Sequence, residues 1–358
     1  MKKLIYWLVI LASVLLFAVD LNPPLDANSK YEETIEGTVL SIESTSPDAQ
    51  TVELEISKGS NVGEKISVNY KLDQTINALA LSEGDRIVLI HSQYEDTNFY
   101  EIVDFVRRPV LYALFALFVL AVAVISRKQG LMSLLGMAFS FLVLFRLVLP
   151  LILAGHNPVW AAIAGCALII PATFYLSHGV NHKTTIAILG TLVTLVFTGL
   201  LAGLFAELAH LSGLADDAAT FLKSDTGDRI DFKGLLLAGV LISMLGVLDD
   251  ISVSQASVAE ELRSAKKGIS FFELYGRTMT VGKDHIAAMV NTLVLVYAGA
   301  SIPLLLLFID HAHSFSEVLN YEFVANEIIH TLVASIGLIL TVPVTTTFAC
   351  FLHKNRKQ

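Results

Sequence analysis

After residue 108 the chain repeats one pattern: apolar stretches of about 20 residues, each long enough as a helix to cross the hydrocarbon of a bilayer. The stretches run at 109–125, 131–153, 159–177, 184–206, 234–250, 286–309 and 327–352. Few folds are open to such a chain, because backbone groups in lipid must be satisfied within the helix or in a closed barrel. Charged residues make up 16% of the chain, against about 25% in an ordinary soluble domain. Most of the sequence therefore has no polar face to present to water.

Before these stretches stand two different segments. Met1-Lys2-Lys3 precedes an apolar run from Leu4 to Val19, a basic start followed by a long hydrophobic region. The following Phe17-Ala18-Val19-Asp20 lacks a small-x-small cleavage pattern, so residues 1–20 read as an uncleaved transmembrane anchor. A cleaved signal peptide is the alternative, and both put the next segment outside the cytoplasm. Short alternating runs then recur at Thr34–Leu40, Val52–Ile56, Lys65–Tyr70, Arg86–Ile90 and Tyr100–Val106. Turn residues separate them, as at Ser46-Pro47-Asp48, Gly59-Ser60-Asn61 and Glu83-Gly84-Asp85. This predicts an extracytoplasmic β domain over 21–107, an OB-like or similar small barrel.

The connections between spans alternate in charge. Arg127-Lys128, Lys183, the 251–285 segment and the tail holding Lys354, Arg356 and Lys357 are basic. Ala154–Pro158, the acidic 207–233 segment and 310–326 lie between them. By the positive-inside rule both termini are cytoplasmic and there are eight passes. The expected fold is mainly α: a polytopic helix bundle over 108–353 with a basic cytoplasmic tail at 354–358. The net charge is −9 with the acidic residues mostly in 26–104 and 207–231, so no nucleic-acid partner is expected; the bilayer is the expected partner. Cys166 and Cys350 both fall in apolar stretches, which excludes a disulfide framework for the outer domain.

The strongest chemical pattern lies in the span that starts near 234. Gly239, Ser243, Gly246, Asp250, Ser254, Ser257 and Glu261 recur every three or four residues and fall on one narrow helix face. Its first half is small, which would let another helix approach closely. Its second half is polar and acidic, with Glu260 adjacent. Leu235–Leu248 alone is too short to cross about 30 Å, so the helix should continue and carry Asp249 and Asp250 into or to the edge of the bilayer. Carboxylates there are costly and mark ion or proton pathways. The plainer reading ends the span at Asp249, with Asp250 and Ser257–Glu260 as local helix caps.

Two further polar residues interrupt apolar stretches. Arg146 stands among Phe141–Leu149 and needs either a partner, an aqueous cavity or a long reach to the surface. Asn291, past Gly282-Lys283-Asp284-His285, suits an interhelical hydrogen bond, or a contact with the Asp249/Asp250 region. Histidines at 156, 210, 311 and 313 with Asp216, Asp217 and Asp310 share the outer side, but in separate loops without ligand spacing, so no metal site is expected. No Walker A loop, nucleophile elbow, dinucleotide fingerprint or zinc-protease motif occurs, and no cofactor is expected. An enzymatic role has no motif behind it. Any transport would draw on a gradient or on another subunit.

Three separated stretches resemble the YibE/YibF-like membrane proteins. One is Gly246-Val247-Leu248-Asp249-Asp250-Ile251-Ser252-Val253-Ser254-Gln255-Ala256-Ser257-Val258-Ala259-Glu260-Glu261-Leu262. The second is Gly276–His285, continuing through Met289–Leu293 and Tyr297-Ala298-Gly299. The third joins Leu149-Pro150 and Gly155-His156-Asn157-Pro158 to His178–Thr184 and Leu189-Gly190-Thr191. The similarity spans roughly 105–352, and the added anchor and outer domain are similar to the longer, YibE-type members. Asp249-Asp250 departs from the expected single Asp followed by an apolar residue. The resemblance implies a multi-pass protein of the bacterial plasma membrane and singles out Asp249–Glu260 including Gln255, then Gly282, Asp284, His285 and Asn291. The family's short and long types suggest a second membrane subunit as partner. Two functions follow as expectations. One is a secondary permease for a small ion or solute, with helices broken near the site at Pro150, Pro171, Pro303 or Pro343. The other is a non-transporting assembly or envelope-sensing component.

Overall fold

The computed structural model describes residues 32–46, 49–71, 80–94, 97–303, 305–306 and 314–352. The expected anchor (1–20), the stretch Asp310-His311-Ala312-His313 and the basic tail lie outside these residues. Two compact units divide in sequence between Val124 and Ile125.

In the first unit all five expected strands form: β1 (Glu32–Ser46), β2 (Ala49–Lys58), β3 (Lys65–Lys71), β4 (Arg86–Tyr94) and β5 (Thr97–Phe105). They make one antiparallel sheet in the order β3-β2-β1-β4-β5. Register shifts at Glu36/Gly37 and Val39/Ser41 bend the long central β1. The sheet curls into a half-barrel, and β3 and β5, its two edges, approach one another. Alternate residues fill the inside, among them Ile35, Val52, Leu54, Ile87 and Leu89. Gly59 turns at φ 110°, where a Cβ would lie 2.4 Å from Ile35 Cγ2, so the turn after β2 requires glycine.

Among the described residues of this unit one carboxylate is buried. Glu36 on β1, with its side chain 7% exposed, is hydrogen-bonded to Arg108 and has Lys58 Nζ and Arg86 Nη2 each at 3.6 Å. The Arg108 hydrogen bond, helped by the charges of Arg108, Lys58 and Arg86, outweighs burial and holds the Glu36 carboxyl below the ordinary carboxylate range. Arg108 is the first residue of the helix that follows, so this cluster bonds the sheet to the base of that helix.

The helices are α1 (Arg108–Val143), a π-helical turn (Leu144–Val148), α2 (Leu149–Leu153), α3 (Pro158–His178), α4 (His182–Leu208), α5 (Asp217–Thr226), α6 (Phe232–Ala265), α7 (Phe271–Ala300), α8 (Phe315–Val318) and α9 (Glu322–Leu352). Among the described residues five helical segments are long and apolar enough to cross a membrane: 108–153, α3, α4, α6 and α9. The expected spans 109–125 and 131–153 share the first of these, which breaks at Arg127 (φ 48°, ψ −128°), a positive-φ conformation rare for a side-chain-bearing residue. The expected span 286–309 corresponds to α7, which begins fifteen residues earlier and, with its charged first half, is not among the five.

Other expectations are corrected. The 207–233 stretch is not a plain loop, because Asp216 caps the N-terminus of α5 by accepting from Ala218 N. The 251–285 stretch is almost wholly helical: α6 runs unbroken past Asp250 to Ala265, and α7 starts at the Ser270–Glu273 capping pair. Asp250 is therefore no cap, and the Ser257 hydroxyl bonds Val253 O inside the helix. Pro171 and Pro343 sit within continuous helices rather than breaking them. Pro150 does act locally. It has no N–H for the carbonyl of Arg146 four residues back, and the π-helical turn falls on those residues.

The second unit is built around α4, α6 and α9, which pack on one another, with α3 against α6 and α7 against α9 and α6. Glycines let these backbones close up. A Cβ on Gly190 would lie 2.2 Å from Thr345 Oγ1, on Gly337 2.6 Å from Met244 Cε, and on Gly199 2.7 Å from Leu241 Cδ2. The small residues expected to do this, Gly239 and Gly246, have no described atom within 4 Å of such a Cβ. The exposed half of α6 carries them, so close packing belongs to α4 and α9 instead.

Candidate functional site

The core of the helical unit is unusually polar. Thr184, Thr191, Thr194 and Thr198 on α4, Ser252 and Gln255 on α6, Thr278 on α7 and Thr341, Thr345 and Thr346 on α9 are all buried. Three of the hydroxyls bond a carbonyl one turn back in their own helix: Thr194 to Gly190 O, Thr198 to Thr194 O and Thr341 to Gly337 O. Two bonds cross between helices: Thr191 Oγ1 to Ser252 Oγ at 2.7 Å and Thr346 Oγ1 to Gln255 Oε1 at 3.1 Å. Among the described residues Gln255 Nε2, Thr278 Oγ1 and Thr345 Oγ1 have no hydrogen-bond partner.

A second polar group joins three helices. Ser243 Oγ on α6 lies 2.8 Å from His330 Nε2 on α9, and Tyr297 Oη on α7 lies 3.4 Å from the same nitrogen. The Tyr297 and His330 rings are 5.0 Å apart. Glu327, one turn before His330 on α9, lines an apolar cavity of about 300 Å³ together with Tyr297. Ser243 also reaches Val240 O at 2.9 Å, so its hydroxyl proton has two places to point. When it donates to Val240, Nε2–H can donate to Ser243; when it turns to His330, Nε2 accepts.

The expected residues fall around this group unevenly. Gln255 is fully buried, and Gly282 packs against it: a Cβ there would lie 3.0 Å from Gln255 Nε2 and 2.4 Å from Val342 Cγ1. Ser243 joins His330, while Asp250, two turns further along the same face of α6, is exposed and Asp249 is half-buried. Ser254, Ser257 and Glu260 are half-buried and Glu261 is exposed. Asp284 and Asn291 on α7 are exposed and His285 is half-buried; among the described residues Asn291 makes no interhelical hydrogen bond. Arg146 is half-buried in the π-helical turn, a deviation found often at functional sites. Of the expected residues, Ser243 and Gln255 on α6 thus contact other helices, while Asn291 and Asp284 on α7 are exposed.

His330, Glu327 and Tyr297 had no part in the expected site. The signal available was the pair Glu327/His330, three apart in an otherwise apolar span, hence on one helix face. Conversely, two motif asparagines have local explanations. Asn157 Oδ1 accepts from Val159 N and Trp160 N to start α3, and Asn181 Oδ1 accepts from Thr184 N to start α4. Among the described residues no three His, Cys, Asp or Glu side chains converge as a metal site.

No curated protein sequence matches the chain, and no solved structure does. A family profile described as YibE/F-like protein matches residues 114–355, which takes in every helix from the body of α1 to the end of α9. The chain belongs to the YibE/F-like protein family.

Proposed function

We propose that the protein is a multi-pass membrane permease that moves a small ion or solute and uses carboxylates and a histidine within the bilayer as its proton relay. The carrying observation is the Ser243–His330–Tyr297 cluster, whose Ser243 and His330 stand on α6 and α9, two helices apolar enough to cross a membrane. Ionisable groups at such depth are costly and mark ion pathways. Glu327 lies one turn before the cluster on α9, and Asp250 lies seven residues beyond Ser243 on α6, about 10 Å along the helix. The two orientations of the Ser243 hydroxyl let His330 take up a proton on one side and release it on the other. In this reading Asp249, Asp250, Ser254, Ser257, Glu260 and Glu261 line the inner half of the path, with Arg146 and Asn291 at its margins.

The location proposed with it is the bacterial plasma membrane, with eight passes, both termini in the cytoplasm and residues 21–107 outside. The alternating basic connections support that orientation. The outer domain is read as an OB-like barrel: closing β3 onto β5 in the order β3-β2-β1-β4-β5 would complete a five-stranded barrel of that type.

The test is proton flux in proteoliposomes carrying a pH-sensitive dye. Protein-containing vesicles should dissipate an imposed gradient faster than empty ones, and His330→Ala and Asp250→Asn should each slow this at least tenfold without loss of folding. A second reading has its own support. The face of α6 with Gly239, Ser243, Gly246 and Asp250 is exposed and suits a second membrane subunit of the same family in a non-transporting assembly. Vesicles that leak no faster with protein than without, together with a fixed membrane partner on purification, would favour it.

A further inference from the structure

The side of α7 turned away from the bundle carries a repeat of its own. Thr280, Asp284, Ala287, Asn291, Val294 and Ala298 follow one another at intervals of four, three, four, three and four residues, and all six are exposed. Thr278, Gly282 and Leu293, which α7 buries against its neighbours, lie on the opposite side of the helix. Intervals of three and four in alternation average 3.5 residues, the period at which two α-helices keep one seam in contact over several turns. The row runs for about 27 Å along the helix. Contact with lipid tails would call for apolar side chains and would not select an aspartate and an asparagine in this row.

The polar side chains in the second half of α7 differ in one respect. The Thr292 hydroxyl is bonded to Ala288 O, and Tyr297 turns to His330. Among the described residues the Asn291 amide makes no hydrogen bond, and the Asp284 carboxylate makes no hydrogen bond and no ion pair. With this half of the helix in the bilayer, neither water nor lipid tails can satisfy an amide. We infer that two copies of this chain pair along the row, α7 against α7. Copies in one membrane share an orientation, so the two helices run parallel about a two-fold axis. Asn291 then meets Asn291 of the second copy. An amide both donates and accepts, so the pair satisfies itself, and a single asparagine in such a seam sets its register. Lys283 is exposed immediately before Asp284 and flanks the row, where the Asp284 carboxylate of the second copy arrives. Each copy thus offers the other a cation and an anion. The small side chains of Ala287 and Ala298 let the backbones approach. A different protein would need its own amide and its own charge pair at matching heights; a second copy brings both by symmetry. This pairing rests on the multi-pass reading and not on transport, and it is measured without flux.

The experiment reconstitutes the full chain in liposomes and reads energy transfer between donor-labelled and acceptor-labelled copies as lipid is added. The wild type should show a saturable dimer. Asn291→Leu should raise its dissociation constant at least fivefold, in line with interhelical hydrogen bonds of membrane peptides. Lys283→Glu and Asp284→Lys should each weaken self-pairing as much. An equal mixture of these two variants should pair at least fivefold more tightly than either alone, since each meets its complement in the other. In a Cys166→Ala, Cys350→Ala background, oxidation should cross-link Val294→Cys into dimers and leave Thr292→Cys, exposed but off the row, uncross-linked. The thermal transition should persist in the α7 variants, because every substituted position on that helix is exposed. Energy transfer that falls with dilution as chance proximity does would overturn the proposal. So would equal cross-linking at Thr292→Cys, or a mixture that pairs no better than its components. A Val294→Cys product in native membranes that holds a different protein and no second copy would overturn it too, and would assign the row to that protein.

Discussion

Ser243 on α6 and His330 on α9, eighty-seven residues apart in sequence, meet at 2.8 Å between Oγ and Nε2 at the exposed face of α6. This bond links the conspicuous polar face of α6 to a histidine that shares one face of α9 with Glu327. Removing one end tests whether it is structural or functional. Interhelical hydrogen bonds in membranes contribute about 0.6 kcal/mol on average, so Ser243→Ala should shift the thermal midpoint in nanodiscs only slightly. Proton flux in the same preparation should nevertheless fall at least tenfold. A large stability loss with flux intact would assign the bond to folding alone.

The close approach of α4 to α9 rests on Gly190. Alanine there would bring Cβ to 2.2 Å from Thr345 Oγ1 and 3.2 Å from its Cα, so the backbones themselves must part. Overpacking of this kind costs about 1–3 kcal/mol. Gly190→Ala should therefore lower the thermal midpoint clearly. Gly246→Ala, with open space around it, should be neutral or slightly stabilising, since alanine favours the helix by up to about 1 kcal/mol. Should Gly246→Ala instead destroy a complex seen with the wild type, the exposed α6 face is a subunit contact.

Gln255 offers the opposite case. Its Oε1 accepts from Thr346, but its buried Nε2 has no partner among the described residues. A buried unsatisfied group costs about 1–3 kcal/mol, and the Thr346 hydroxyl can fall back on a carbonyl one turn earlier in its own helix. Gln255→Met should hold or raise thermal stability. A matching loss of flux would mark Gln255 as a residue kept for function rather than for the fold.

Glu36 makes the stability of the β unit depend on pH. Its carboxyl is held below the ordinary value of 4.5, chiefly by the Arg108 hydrogen bond. A depressed carboxyl contributes stability that is fully present above the unfolded value and is lost as pH falls through the folded one. Unfolding followed by near-ultraviolet dichroism should show a loss of stability beginning below about pH 4.5, the unfolded reference value. Glu36→Gln should flatten that dependence and lower stability by about 1.5–3 kcal/mol near neutrality, the scale of a charged hydrogen bond.

The parts legible in sequence were those written in periodicity. Alternation placed all five strands, because the inward set from Ile35 to Ile102 repeats every two residues. Apolar length placed α3, α4, α6 and α9. The polar face of α6 was also visible, since seven residues share a 3.6-residue repeat. Two things were not. Small residues occur on several faces of several helices, and only the packed structure reveals that Gly190 and Gly337 meet a neighbour while Gly239 and Gly246 do not. His330 and Glu327 form too short a pattern within one span, and their meaning comes from Ser243 and Tyr297, which lie on other helices.

The threonines of α4 and α9 carry one more implication. Because Thr194, Thr198 and Thr341 each spend their proton on a carbonyl of their own helix, the seam between these helices is polar yet nearly free of cross-links. Two such surfaces can slip lengthwise past each other with little to break, as greased rods do, while each stays internally stiff. Motion at that seam would then be resisted chiefly by the interlock of glycine notches with their opposing side chains, Gly190 with Thr345 and Gly337 with Thr198.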